Sequence, residues 1–159
     1  MQSSPSKKLT LNEISLLRKQ FDYKKLDKNS DLYLQRNQDW DKNVSMYGYI
    51  TVENDCIKIF RLKFKGTVDQ LILPYECNVI IDGKKFEVNH YSLTGSMNLN
   101  EEGFDDDISK NLQFILALNE SKSMEIEMKG KMLSSRREIS EIHIQNLKEI
   151  VSAYLNLTK

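Results

Sequence analysis

The sequence predicts a mixed α+β domain, with helices at the start, middle and end of the chain packed on an antiparallel sheet. Three observations lead there. Capped apolar patterns of helical period open and close the chain. Between them the apolar period falls to two, and turn residues recur at hairpin spacing. The length of 159 residues, with 40% hydrophobic and 29% charged side chains, suits one folded domain with its own core. We expect about five to seven strands, with a sandwich-like arrangement left open. Residues 1–8 read as a flexible tether and 9–159 as the single domain.

The first helix has the best start signal. Thr10 is a good N-cap, Glu13 completes a capping box, and Leu9 and Ile14 take the staple positions. Ile14, Leu17 and Phe21 follow at helical spacing, and the helix is expected to run to about Leu26. Residues 27–45 are polar, with Leu32, Leu34 and Trp40 as expected anchors. Tyr47–Val52 and Ile57–Lys65 read as a hairpin around Asn54-Asp55. A third run, Leu71–Leu73, is broken by Pro74, which points to an edge or a bulge. Asn78–Ile81, Asp82-Gly83 and Lys85–Val88 make the strongest hairpin signal in the chain. Residues 92–107 are glycine- and acid-rich and read as a loop leading into a helix with Ile108, Leu112, Ile115 and Leu116 on one face. Leu112, Phe114, Leu116 and Leu118 also alternate as a strand would, but the length and the acids ahead favour helix. Met124, Ile126 and Met128 alternate with Glu125, Glu127 and Lys129 in a half-buried strand ended by Gly130. The last helix starts at Ser140, and Ile144, Leu147, Ile150, Val151 and Tyr154 form its apolar stripe.

Lys and Arg total 23, and so do Asp and Glu. No global field therefore attracts nucleic acid, and any electrostatic function rests on a local patch. Two cysteines, Cys56 and Cys77, exclude a disulfide-dense scaffold. Both fall within or beside β-type runs and are expected as buried thiols, with a single bridge as the alternative. No apolar run reaches the ~20 residues that a spanning helix needs. Met1 is followed by polar residues rather than a signal peptide, which fits a cytoplasmic protein or the mature part of a secreted one.

Familiar reaction centres do not emerge. His90 and His143 have no second ligand at metal spacing, and no cofactor or metal is expected. Asp27, Asn29 and Asp31 match the opening of a calcium loop, but Leu32 stands where glycine is needed and Gln38 where glutamate is. The acids Glu101, Glu102, Asp105, Asp106 and Asp107 read as a solvated loop rather than a cation site. Nucleophile-elbow and phosphate-loop patterns are absent. An enzyme or nucleic-acid-processing protein with carboxylates gathered from distant positions is the alternative that the sequence leaves standing.

Two features remain. Arg61, Lys63 and Lys65 share one face of a strand, and Arg136 and Arg137 lie before the last helix; together they are the candidate site for a polyanion. Cross-strand neutralisation by Glu125 and Glu127 is the competing account. Tyr47 and Tyr49 share a face too, with Tyr23, Tyr33 and Trp40 upstream, as either a contact patch or a cover for the sheet.

The order of motifs is familiar as a whole: a short capped helix, Tyr47-Gly48-Tyr49-Ile50-Thr51-Val52-Glu53-Asn54, Ile81-Asp82-Gly83-Lys84-Lys85, Lys129-Gly130-Lys131 and a closing amphipathic helix. It resembles outer-surface lipoproteins of Lyme-disease spirochaetes of the genus Borrelia, over most of residues 9–157. The resemblance implies a non-enzymatic domain at the cell surface, held on the outer membrane by a lipid anchor. Its expected partner is a host or envelope macromolecule, glycan or protein, and not nucleic acid. The motifs are turns and caps, so the resemblance carries no site residues across.

Overall fold

The computed structural model describes residues 7–36, 39–41, 44–68, 72–94 and 100–159. It is an α+β fold of two open antiparallel sheets and three helices among the described residues. The larger sheet holds β1 (Asp22–Lys25), β2 (Ser30–Leu34), β4 (Val44–Glu53), β5 (Cys56–Val68), β9 (Asn100–Asp107) and β8 (His90–Thr94), in that spatial order. The short β3 (Asp39–Asp41) also pairs with β4. The smaller sheet runs β11 (Ser134–Glu138), β10 (Met124–Lys129), β6 (Glu76–Ile81), β7 (Lys84–Val88). The helices are α1 (Leu11–Gln20), α2 (Leu112–Glu120) and α3 (Glu141–Leu157).

The caps form at the predicted residues. The Thr10 side chain accepts from the Glu13 amide, and Glu13 accepts from Thr10 in return. Ser140 caps α3 by position, although its hydroxyl meets His143 Nδ1 at 2.6 Å instead of an amide. Both tight hairpin turns use left-handed backbone, at Asn54 and Asp55 (φ 51° and 63°) and at Asp82 and Gly83 (φ 49° and 85°). Such turns match the twist of the strands that they join.

Three expectations need correction. α1 stops at Gln20, not near Leu26: Phe21 turns to extended backbone, its side chain buries, and Asp22–Lys25 pair with β2 as a hairpin. The Asp27–Asp31 motif is the tip of that hairpin. Asp27 accepts the Asn29 amide, while Asp31 pairs with Lys25 and Arg18. The acid-rich stretch read as a loop is the β8–β9 hairpin, apart from residues 95–99, which lie outside the described residues. The middle segment is a helix, but it begins at Leu112. Asn111 caps it by accepting the Phe114 amide, and Ile108 buries ahead of it with its N–H on the Phe60 carbonyl.

The core lies between the layers. Met46, Ile50, Phe60, Leu62, Phe64 and Phe104 are buried on one face of the larger sheet. The α3 stripe packs onto part of this face: a side chain at Gly48 would overlap Phe60 and crowd Ile150, and the Phe60 and Tyr154 rings lie 5.1 Å apart. The smaller sheet covers the rest with Cys77, Val79, Ile81, Met124, Ile126 and Met128. α2 closes the smaller sheet at β7, where the Phe86 and Phe114 rings stack at 4.6 Å. Cys56 and Cys77 are both thiols, and burial, followed by the charges of Glu102 and Glu127, pushes the Cys77 thiol up to about 12. Pro74 is buried in the connection before β6, next to Leu73, a non-glycine residue at φ 52°.

Two glycines separate packing cost from backbone cost. At Gly103 an added Cβ would run into the Phe64 carbonyl, so Gly103→Ala should destabilise by about 3 kcal/mol. At Gly83 the space is open and only the positive φ opposes a side chain, so Gly83→Ala should cost about 1 kcal/mol. Denaturant titration of both variants measures the difference. Equal costs would show that β9 does not approach β5 this closely.

Candidate binding face of the larger sheet

Alternation along β4 and β5 sends Met46, Gly48, Ile50, Phe60, Leu62 and Phe64 inward, and sends Tyr47, Tyr49, Arg61, Lys63 and Lys65 to the other face. Register then makes neighbours of them: Tyr47 is directly opposite Lys63, and Tyr49 directly opposite Arg61. The Tyr47 and Tyr49 rings lie 5.9 Å apart. All five side chains are partly exposed, and Leu32 and Leu34 of β2 and Ile59 of β5 extend the same face. The basic stripe and one half of the tyrosine set therefore form a single surface.

β9 supplies the counter-charge. Asp105 stands opposite Lys63, but its carboxylate turns to Arg61, whose Nε donates at 2.9 Å, and to the Tyr49 hydroxyl, which donates at 3.0 Å. Arg61 also donates to the Asp105 carbonyl. Burial works against the Arg61 charge, yet Asp105 outweighs it and holds the guanidinium above its ordinary value. Burial and then the Asp105 charge push the Tyr49 hydroxyl up to about 12, so it remains a proton donor. Arg61 is thus a fixed part of the face. Lys63 and Lys65 have no ion-pair partner among the described residues and present mobile charges beside the tyrosines.

The predicted neutralisation occurs with other partners. Glu125 and Glu127 belong to the smaller sheet, on its face away from the core, and they meet Arg136 there at 2.8 and 3.9 Å. Glu127 also meets Lys85 and Lys129, Glu76 meets Lys129, and Asn78 Nδ2 donates to both Glu76 and Glu127. Arg136 is therefore spent in this network. Arg137 turns inward, its guanidinium 5.8 Å from the Phe64 ring centre. Neither arginine joins the stripe on β5.

Of the upstream aromatics, Tyr33 is fully buried opposite Ile50, and Tyr23 lies beside it at 5.5 Å, both on the inner face. Trp40 is on β3. His90 begins β8 and His143 sits in the first turn of α3. Among the described residues no group of three His, Cys, Asp or Glu side chains could hold a metal ion, and no helix is long and apolar enough to cross a membrane. The functional residue missed in the sequence is Asp105. The signal for it was the period-two alternation of Glu102, Phe104 and Asp106 with Gly103, Asp105 and Asp107.

No protein-family model, no curated protein and no solved structure matches the chain. The likeness to the spirochaetal lipoproteins rests on its turn and cap motifs alone.

The network of the smaller sheet fixes a pH response. Burial raises the cost of the Glu127 charge, but Asn78 and Lys85 outweigh it and hold the carboxyl below the usual range. Asn78, then Lys129, does the same for Glu76, and the Ser123 amide does so for Asp82. A carboxyl lowered in the folded state leaves the unfolded chain to take up protons first, so its stabilisation is complete above its unfolded pKa and fades as pH falls. Melting temperature should stay level from about pH 7 to pH 5 and drop below about pH 4.5. Glu127→Gln should melt lower at neutral pH and show a shallower acid limb. A variant whose acid limb is as steep as the parent's would remove Glu127 from this role.

Proposed function

We propose that this is a non-enzymatic surface lipoprotein domain that binds a host or envelope macromolecule, and that the bound chemistry is an anionic glycan. The surface placement and lipid anchor follow from the resemblance. The glycan follows from one observation: Tyr47 and Tyr49 lie on the open face of the larger sheet in register with Lys63 and Arg61.

The parts divide the work. Tyrosine rings offer flat apolar area at low entropic cost, on which sugar rings pack. Lys63 and Lys65 attract sulfate or carboxylate groups at a range set by ionic strength. Asp105 accepts from both Arg61 and the Tyr49 hydroxyl and keeps the two in place. Such a face is a shallow, wet recognition surface that binds an extended chain.

The measurement is retention on a heparin column at low salt. The parent protein should be retained and elute as salt rises through the range that screens surface charge. Lys63→Ser with Lys65→Ser should abolish retention, and Tyr47→Ala should weaken it about tenfold. Arg136→Ser should leave retention unchanged, because that side chain belongs to the other sheet. A parent protein that flows through at low salt ends the glycan reading. Metabolic labelling of the native protein with a fatty acid tests the anchor separately.

A further inference from the structure

The inner face of the same sheet holds a buried carboxylate beside a cavity. Glu102 of β9 is 1% exposed. Its Oε1 accepts the amides of Ile72 and Leu73, the latter at 3.1 Å. Its Oε2 is shielded from solvent and has no hydrogen-bond partner among the described residues. Buried carboxylate oxygens rarely stay unpaired, because the lost hydration is not repaid. Glu102 lines a cavity between the two sheets, and the opposite wall carries Arg137 of β11. Gly66, directly opposite Glu102 in the register, leaves the room that the Arg137 guanidinium occupies. Arg137 has no ion-pair partner among the described residues, in contrast to Arg136 beside it. Phe64, Ile72, Ile126 and Met128 make the rest of the lining largely apolar.

A carboxylate and a guanidinium thus face one small space without meeting each other. The space in it open to the centre of a water-sized group is about 20 Å³, enough for about one such group. An ammonium group has that size. Counted together with the open solvent at its mouth, the empty space is about 290 Å³, so a longer ligand would extend out through the mouth. Charge balance selects the ligand. A lone amine would leave the partly exposed Arg137 to solvent alone, and a lone acid would leave the buried Glu102 unanswered. A zwitterion neutralises both.

We propose that this inter-sheet cleft binds a small amino-acid-like zwitterion, with its ammonium donating to Glu102 Oε2, its carboxylate on Arg137 and its stem against Phe64 and Met128. The site is on the opposite side of the sheet from the Tyr47–Lys63 face and does not depend on it.

Calorimetry on the whole chain tests this with glycine, 4-aminobutanoate and 6-aminohexanoate as probes of increasing length, and with butylamine and butanoate as single-charge controls. At least one zwitterion should bind at one site per chain, and both controls at least about tenfold more weakly. Glu102→Gln keeps an oxygen for the Ile72 and Leu73 amides but loses the charge, and it should weaken binding about tenfold or more. Arg137→Gln, on the outer wall, should do the same. Circular dichroism shows whether each variant is folded. If Glu102→Gln fails to fold, Arg137→Gln alone decides. The proposal is overturned if no probe binds up to about 10 mM, if butylamine binds as well as the zwitterions, or if a folded variant keeps the parent affinity. The first outcome would mean a cleft that holds solvent only, the second an amine site that ignores Arg137, and the third binding at another place.

Discussion

At Gly103 the backbone of β9 comes so close to the Phe64 carbonyl of β5 that no side chain fits between them. That approach sets the register of eight residue pairs, from Arg61 with Asp107 to Val68 with Asn100. Register in turn decides which side chains of β9 face outward and which inward, since a shift of one residue would exchange the two sets. Asp105 faces out and answers Arg61. Phe104 faces in and stacks on Phe64 at 5.8 Å, and Glu102 faces in toward the cleft. Both proposed sites therefore hang on one place where a β-carbon is forbidden.

The two sheets use charge in different ways. On the smaller sheet Glu76, Lys85, Glu127, Lys129 and Arg136 interlock with Asn78, and each of these five charges has a partner of opposite sign. Of the three cations Arg61, Lys63 and Lys65 on β5, only Arg61 has an ion pair among the described residues. Asp107 and Asp105 of β9 lie directly opposite Arg61 and Lys63, so acids and cations stand side by side on this face.

The elements that the sequence announced were those whose signal is local. Thr10 with Glu13, Asp82-Gly83, and the apolar stripe of α3 need only a few neighbouring residues to be read. The β8–β9 hairpin was missed because its reason is distant. Five acids with two glycines look like a solvated loop until β5, some 40 residues earlier, supplies the cations and the close approach. The end of α1 was misplaced for a similar reason: Asp22–Lys25 have helix-tolerant residues, and pairing with β2 overrides that propensity. At the candidate site the stripe was visible but its company was not. Periodicity places residues on a face and cannot say which strands lie side by side, so Arg136 and Arg137 were grouped with a basic stripe whose face neither of them shares.

Open sheets leave edges, and here they fall on β1, β8, β7 and β11. Three of the four carry charge: Asp22, Lys24 and Lys25 on β1, Lys84, Lys85 and Glu87 on β7, Arg136 and Glu138 on β11. A row of unpaired amides and carbonyls invites another strand to add on, but lysines and like charges along it make that addition costly. Crowding many copies side by side, as on a densely covered surface, is the situation in which edge pairing turns into fibre growth. The charged borders keep neighbouring molecules from being stitched together while their broad faces stay available.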